Sequence, residues 1–178
     1  FAELGKEGVL LLLSDSTNVD RKGWGPSESE VSTGLKQVFT EAPGRVLITT
    51  FASNIHRLQQ AYYMAAETGR VVGVVGRRME QNVDICVRYG YLNIPKGTRV
   101  NLDELRDYPP EKQVILTTGS QGEPMSALVQ MSREEYGRFQ VREGDTLIYS
   151  ARPIPGNEAS IWRTINRLFR LGVNVLYD

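Results

Sequence analysis

Cysteine, histidine and tryptophan are scarce: the 178 residues hold one, one and two of them. A lone cysteine, Cys86, excludes an internal disulfide framework and suits a reducing compartment, so a cytoplasmic location is expected. A lone histidine, His56, excludes a zinc site built from several His or Cys ligands of this chain. Apolar runs such as Val9–Leu13 fall far short of the ~20 residues a bilayer span needs, and no secretory apolar region opens the chain. No repeat or low-complexity linker is present. Net charge is absent as well, with 21 basic against 21 acidic residues, so the whole molecule does not steer a polyanion. What is there is an ordinary globular mix, 40% apolar and 24% charged, of one-domain length.

The charge is unevenly spread. Residues 45–99 carry eight Lys/Arg and three Asp/Glu, whereas residues 100–145 carry five and nine. Arginine outnumbers lysine 16 to 5, and its planar fork suits phosphate oxygens.

Strand and helix patterns take turns along the chain. Val9–Ser14 is a continuous apolar run, the pattern of a strand buried on both faces. Ser27 opens a helix, with Glu30 completing a capping box and Val31, Leu35, Val38 and Phe39 at helical spacing. Arg45–Thr50 is the next strand, and Ser53 caps a helix with Ile55, Leu58, Tyr62 and Ala65 on its inner stripe. Val71–Val75 is the third strand. A helix from about Arg78 carries Met79, Val83, Cys86 and Val87, and residues 91–112 read as irregular. Gln113–Thr118 is the fourth strand, followed by a Gly-rich turn and a helix from about Met125. Asp145–Ser150 is the fifth strand, a helix from Asn157 carries Ile161, Ile165, Leu168 and Phe169, and Val173–Tyr177 is the sixth strand. Repeated β-α units predict an α/β fold: a parallel, Rossmann-like sheet of about six strands with helices on both faces.

In open α/β sheets ligands bind outside the carboxyl ends of the strands. The segments that follow the strands there are Asp15-Ser16-Thr17-Asn18, Phe51–Asn54 with His56 and Arg57, Gly76-Arg77-Arg78, Gly119–Pro124, and Ser150 to Glu158. This rim is rich in hydroxyl, amide and arginine groups beside helix N-termini, which points to a phosphate-bearing ligand. The Gly-rich loop matches neither the Walker phosphate loop nor the dinucleotide fingerprint. A bland reading exists for each piece: Ser27, Ser53 and Asn157 as caps, Gly119 and Gly122 as turn formers, Arg77 and Arg78 as solvated charges. His56 lies next to the inner stripe and points partly outward. Asp15, at the end of an apolar strand, is either functional or the anchor of an Asx-turn with Ser16 and Thr17.

Four segments in order, LLLLSDSTN, TTFASN, TTGSQGEP and IPGNE, resemble bacterial ribonuclease J over essentially the whole chain. That family joins a metallo-β-lactamase domain to an inserted β-CASP domain, with RNA in the cleft between them. The resemblance implies a metal-dependent ribonuclease, both a 5′ to 3′ exonuclease and an endonuclease, acting in RNA maturation and decay. It implies two zinc ions held by ligands outside this segment and none held here. The family's His-x-His-x-Asp-His motif, its later metal-bridging Asp and its two downstream β-CASP histidines are missing from this sequence, so the segment alone is expected to be inactive. Residues 1–20 would be the tail of the metallo-β-lactamase domain and residues 21–178 the β-CASP insert, cut at both neighbours.

By the same resemblance, Asp15 is the catalytic carboxylate. Ser16, Thr17, Ser53, Asn54, Arg77, Arg78, Ser120, Gln121, Gly122, Glu123, Asn157 and Glu158 would contact RNA or its phosphates. Glu123 and Glu158 repel phosphate, so they would orient arginine or backbone N–H groups, or read a base edge. The implied partners are RNA, the enzyme's own metallo-β-lactamase domain and a second subunit of a homo-oligomer, with no membrane. The alternative is a stand-alone Rossmann-like module for a small phosphorylated ligand.

Overall fold

The computed structural model describes residues 1–16, 19, 20, 22, 23 and 28–177, and the side chains from residue 31 onward in that last stretch. Five parallel strands form one sheet: β1 (Val46–Thr49), β2 (Val71–Val75), β3 (Gln113–Thr117), β4 (Thr146–Tyr149) and β5 (Asn174–Leu176). Their spatial order is β2-β3-β1-β4-β5, which puts β1 at the centre.

The strands read as unbroken apolar runs because both faces are covered. On one face α2 (Glu28–Glu41), α3 (Ile55–Glu67) and α4 (Arg77–Arg88) pack on Val46, Ile48, Val72, Val74, Val114 and Leu116. On the other, α5 (Leu102–Leu105), α6 (Ala127–Ser132) and α7 (Glu158–Arg170) pack on Leu47, Ile115, Leu147 and Val175. Alternate residues of each strand serve opposite cores, as the two-residue period of a strand requires. The helix after β1 goes to one face and the helix after β4 to the other. The sheet therefore opens a crevice between the carboxyl ends of these neighbouring strands.

The α/β class, the parallel sheet and the two helical layers agree with the sequence pattern; among the described residues the sheet has five strands, not six. Val9–Ser14 is irregular, and Leu10–Leu13 are 71–104% exposed. An apolar run becomes a strand only beside a neighbour that takes up its N–H and C=O groups. The outer edge of β2 is already occupied, since Val72 donates its N–H to Thr98 and accepts from Val100. The short helix before this run, α1 (Ala2–Glu7), buries no residue.

Boundaries shifted by small amounts elsewhere. Asn54, not Ser53, caps α3, because its side chain lies three residues ahead of the Arg57 N–H it accepts, at 3.1 Å. The helix after β3 starts at Ala127 instead of Met125, since Glu123 to Ser126 form a turn closed by the Ser126 N–H donating to the Glu123 carbonyl. The stretch 91–112 holds a capping box, in which Asn101 accepts from the N–H groups of Asp103 and Glu104 and opens α5. A 3-10 turn follows at Pro110–Lys112. Val87 and Phe169 turn to solvent, each one position past a buried stripe residue. The Ser27 cap with Glu30 lies outside the described residues.

Candidate functional site

The rim is organised by one buried amide. Gln121, in the loop after β3, is 6% exposed. Its Nε2 donates to the Arg152 carbonyl at 3.0 Å, and its Oε1 accepts from the Ile154 N–H at 2.8 Å and the Asn157 Nδ2 at 3.2 Å. One side chain thus fixes the loop after β4 at three points. Glu123 braces the same residue, accepting the Gln121 backbone N–H at 3.1 Å. The buried Tyr149 hydroxyl, at the end of β4, donates to the Ser120 carbonyl. Burial first, and then the Glu123 charge, push its pKa well above the usual tyrosine value.

Gly122 lets this loop touch α7. Its φ is +70°, and a Cβ there would lie 2.7 Å from the Ser160 carbonyl carbon. No larger residue fits both the backbone and the space. The β3 and β4 loops are one preformed unit, and Ser120, Gln121 and Gly122 are its buried frame.

The crevice between β1 and β4 is spanned by a second chain of polar groups. Arg57, one turn into α3, donates from Nη1 to the Ser150 hydroxyl and from Nε to Gln60 at 3.0 Å. Gln60 in turn donates to Ser32 of α2 at 3.0 Å. Ser53 and His56 are exposed beside it.

Arg77 and Arg78 open α4, the helix that follows edge strand β2, and both are exposed. Neither makes a side-chain hydrogen bond or ion pair among the described residues. Cations in a first turn lie at the positive end of the helix dipole, which costs free energy unless an anion is present. Glu158, at the start of α7, accepts the Gly156 N–H at 2.8 Å. Both rim carboxylates, Glu123 and Glu158, are thus bonded to backbone N–H groups of their own loops, one of the two orienting roles left open by the sequence.

The predicted residues fall into groups. Ser120, Gln121, Gly122, Glu123, Asn157 and Glu158 come together as the interlocked β3–β4 rim. Ser53 and Asn54 flank the crevice, and Arg77 and Arg78 stand at the β2 end. Asp15 and Ser16 lie in the exposed irregular stretch, where the Ser14 hydroxyl donates to the Asp15 carbonyl at 3.2 Å. Asp15 therefore does not end a buried strand. Thr17 lies outside the described residues. Tyr149 and the Arg57–Ser150 bridge were missed as site features, because no local motif marks a contact between positions 93 residues apart.

Among the described residues no three of His, Cys, Asp and Glu converge so as to hold a metal ion. A hollow of about 560 Å³, lined by residues including Phe39, Glu67, Arg70 and Glu111, lies at the opposite, amino end of the sheet. Arg70 fills the end of α2 there, donating to the carbonyls of Phe39, Ala42 and Gly44 at 2.8–3.1 Å. No helix among the described residues is long and apolar enough to cross a membrane.

Fold and rim define a doubly wound α/β domain with a preorganised, arginine-bearing edge at the strand carboxyl ends. Comparison with known proteins gives the family. Residues 43–168 match the model of the ribonuclease J beta-CASP domain. Ribonuclease J of Thermus thermophilus is 47% identical over 99% of this chain and 30% of its own length. Ribonuclease J of Synechocystis is 45% identical over 99% of the chain and 28% of its own length. Ribonuclease J2 of Bacillus subtilis is 36% identical over 99% and 32%. The chain belongs to the ribonuclease J beta-CASP domain family, and it spans about a third or less of the length of these relatives.

Proposed function

We propose that this chain is the RNA-positioning part of a ribonuclease J-like enzyme that hydrolyses RNA phosphodiesters in the cytoplasm, both from 5′ ends and internally. The observation that carries the reading is the pair Arg77–Arg78 at the dipole-disfavoured start of α4, on the same rim as the amide-locked β3–β4 loops. An anionic strand laid along that edge would relieve the unfavourable charge placement. Residues 1–20 are assigned to the neighbouring metallo-β-lactamase domain, supported by the exposure of residues 1–16. Residues 21–178 are the β-CASP insert. Asp15 is assigned a catalytic carboxylate role in the assembled enzyme, with two zinc ions held outside this segment and assembly into a homo-oligomer.

The test is RNA binding across a salt series, with 5′-monophosphate and 5′-hydroxyl oligonucleotides of one sequence. Phosphate contacts give a log-linear salt dependence with a slope of roughly −0.7 per contact for single strands. A slope that shrinks in Arg77→Gln/Arg78→Gln supports the reading. Binding that ignores both salt and these substitutions refutes it.

A further inference from the structure

The outer side of α7 carries two adjacent stripes of different chemistry. Trp162 and Phe169 lie on the first, 43% and 47% exposed. Trp162 meets Tyr177, just after β5, edge to face, with ring centroids 5.1 Å apart. Arg163, Arg167 and Arg170 lie on the second stripe at i, i+4, i+7 spacing, with Arg163 and Arg170 exposed. The helix has one acid, Glu158, and its oxygen is already bonded to the Gly156 N–H. Tyr177 follows the carboxyl end of β5, so the patch begins where the rim ends.

We propose that this face is a binding platform for single-stranded RNA, extending the rim beyond the crevice. The inference rests on the RNA-binding reading above. An edge-to-face pair leaves ring faces open, and unpaired bases stack on such faces whatever their sequence. Arginines four residues apart on a helix are ~6 Å apart along its axis, close to the step between successive phosphates of an extended strand. Three arginines with no free acid among them match a polyanion; a protein partner would have to bring acids to match them. Duplex RNA keeps its base faces stacked, so it cannot use the ring pair.

The experiment uses the full-length protein that carries this segment, in a Trp24→Phe background, which leaves Trp162 as the segment's only tryptophan. Emission excited at the tryptophan band is followed while single-stranded oligouridylate or a duplex of equal length is added, over a salt series. Tryptophans elsewhere in the protein are corrected for with Trp162→Phe. The platform predicts quenching by the single strand and not by the duplex. It predicts affinity about tenfold or more weaker in Trp162→Ala. It predicts a salt slope smaller by roughly 1.4 in Arg163→Gln/Arg170→Gln, whose exposed positions leave the core intact. Undiminished RNA binding with unchanged Trp162 emission overturns the platform and leaves the rim reading standing. Absence of RNA binding by every folded form overturns both. Loss of self-association or of a protein partner in the arginine variant, with RNA binding intact, assigns the face to a protein and overturns the platform as well.

Discussion

Arg45 and Asp145 form a two-pronged ion pair at the amino ends of adjacent strands β1 and β4, with Nε–Oδ1 and Nη2–Oδ2 distances of 2.7 and 2.5 Å. Both side chains are almost wholly buried. Further contacts surround the pair: Arg45 donates to the Gln140 carbonyl at 2.9 Å and lies over the Phe139 ring, and Asp145 accepts the Arg142 N–H at 2.8 Å. The pair lies at the end of the sheet opposite the rim, so it is a structural clamp. Asp145→Ala leaves a buried, uncompensated guanidinium and is expected to cost about 3–5 kcal/mol in denaturant unfolding. Replacing both partners, Arg45→Met with Asp145→Leu, is expected to cost less than the single change, because no charge is then left unpaired.

Gly73, in the middle of β2, is required by its neighbour. A Cβ there would lie 2.7 Å from Leu105 Cδ2 of α5. Gly73→Ala is expected to destabilise the fold by roughly 1–3 kcal/mol through overpacking. Adding Leu105→Ala should then cost less than it does in the parent background. A double-mutant cycle by chemical denaturation measures the coupling.

Tyr62 of α3 is fully buried, and among the described residues its hydroxyl has no partner. Burial is the main cause that pushes its pKa up to about 12, against an ordinary 10.0. The folded state therefore favours the neutral phenol. Its stabilising effect is complete below pH 10, where both states are protonated, and is lost as the pH rises from 10 towards 12 and the unfolded phenol ionises first. Tyr62→Phe is expected to remove roughly 3 kcal/mol of the alkaline loss of stability. At pH 7 it should leave stability unchanged or raise it by about 1 kcal/mol. Urea titrations from pH 8 to 12 on both proteins separate this contribution from that of Tyr149.

Gln121→Leu keeps the volume and removes three hydrogen bonds to the β4 loop. The expected cost is roughly 1–3 kcal/mol. Amide exchange should accelerate locally, at Ile154 and its neighbours, while the β1–β3 core stays protected. Uniform acceleration across the sheet would show that the amide supports the fold as a whole and not this loop.

Arg77→Gln/Arg78→Gln should move stability and binding in opposite directions. Removing two cations from the first turn of α4 is expected to raise stability by about 0.3–1 kcal/mol per charge at low salt. The same change is expected to weaken RNA binding. A stability loss would mean that the arginines serve the helix itself.

The α/β class, five of the strands and most helices were legible from the sequence because strand and helix burial have different periods, two and 3.6 residues. Gln113–Thr117 and Val71–Val75 are apolar throughout and are covered on both faces. The gathering of polar loops at the strand carboxyl ends was legible too, since each strand of a parallel sheet delivers its following loop to that end. The strand expected at Val9–Ser14 does not form, since an apolar run becomes a strand only when a neighbour is free to pair with it. Likewise the division of the rim into a buried frame, Ser120 to Gly122, and exposed cations, Arg77 and Arg78, was invisible locally. So were the Arg57–Ser150 bridge and the Arg45–Asp145 clamp, whose partners stand 93 and 100 residues apart. Local pattern determines which elements form. Strand order, the crevice and each polar side chain's partner depend on contacts that exist only once the sheet has assembled.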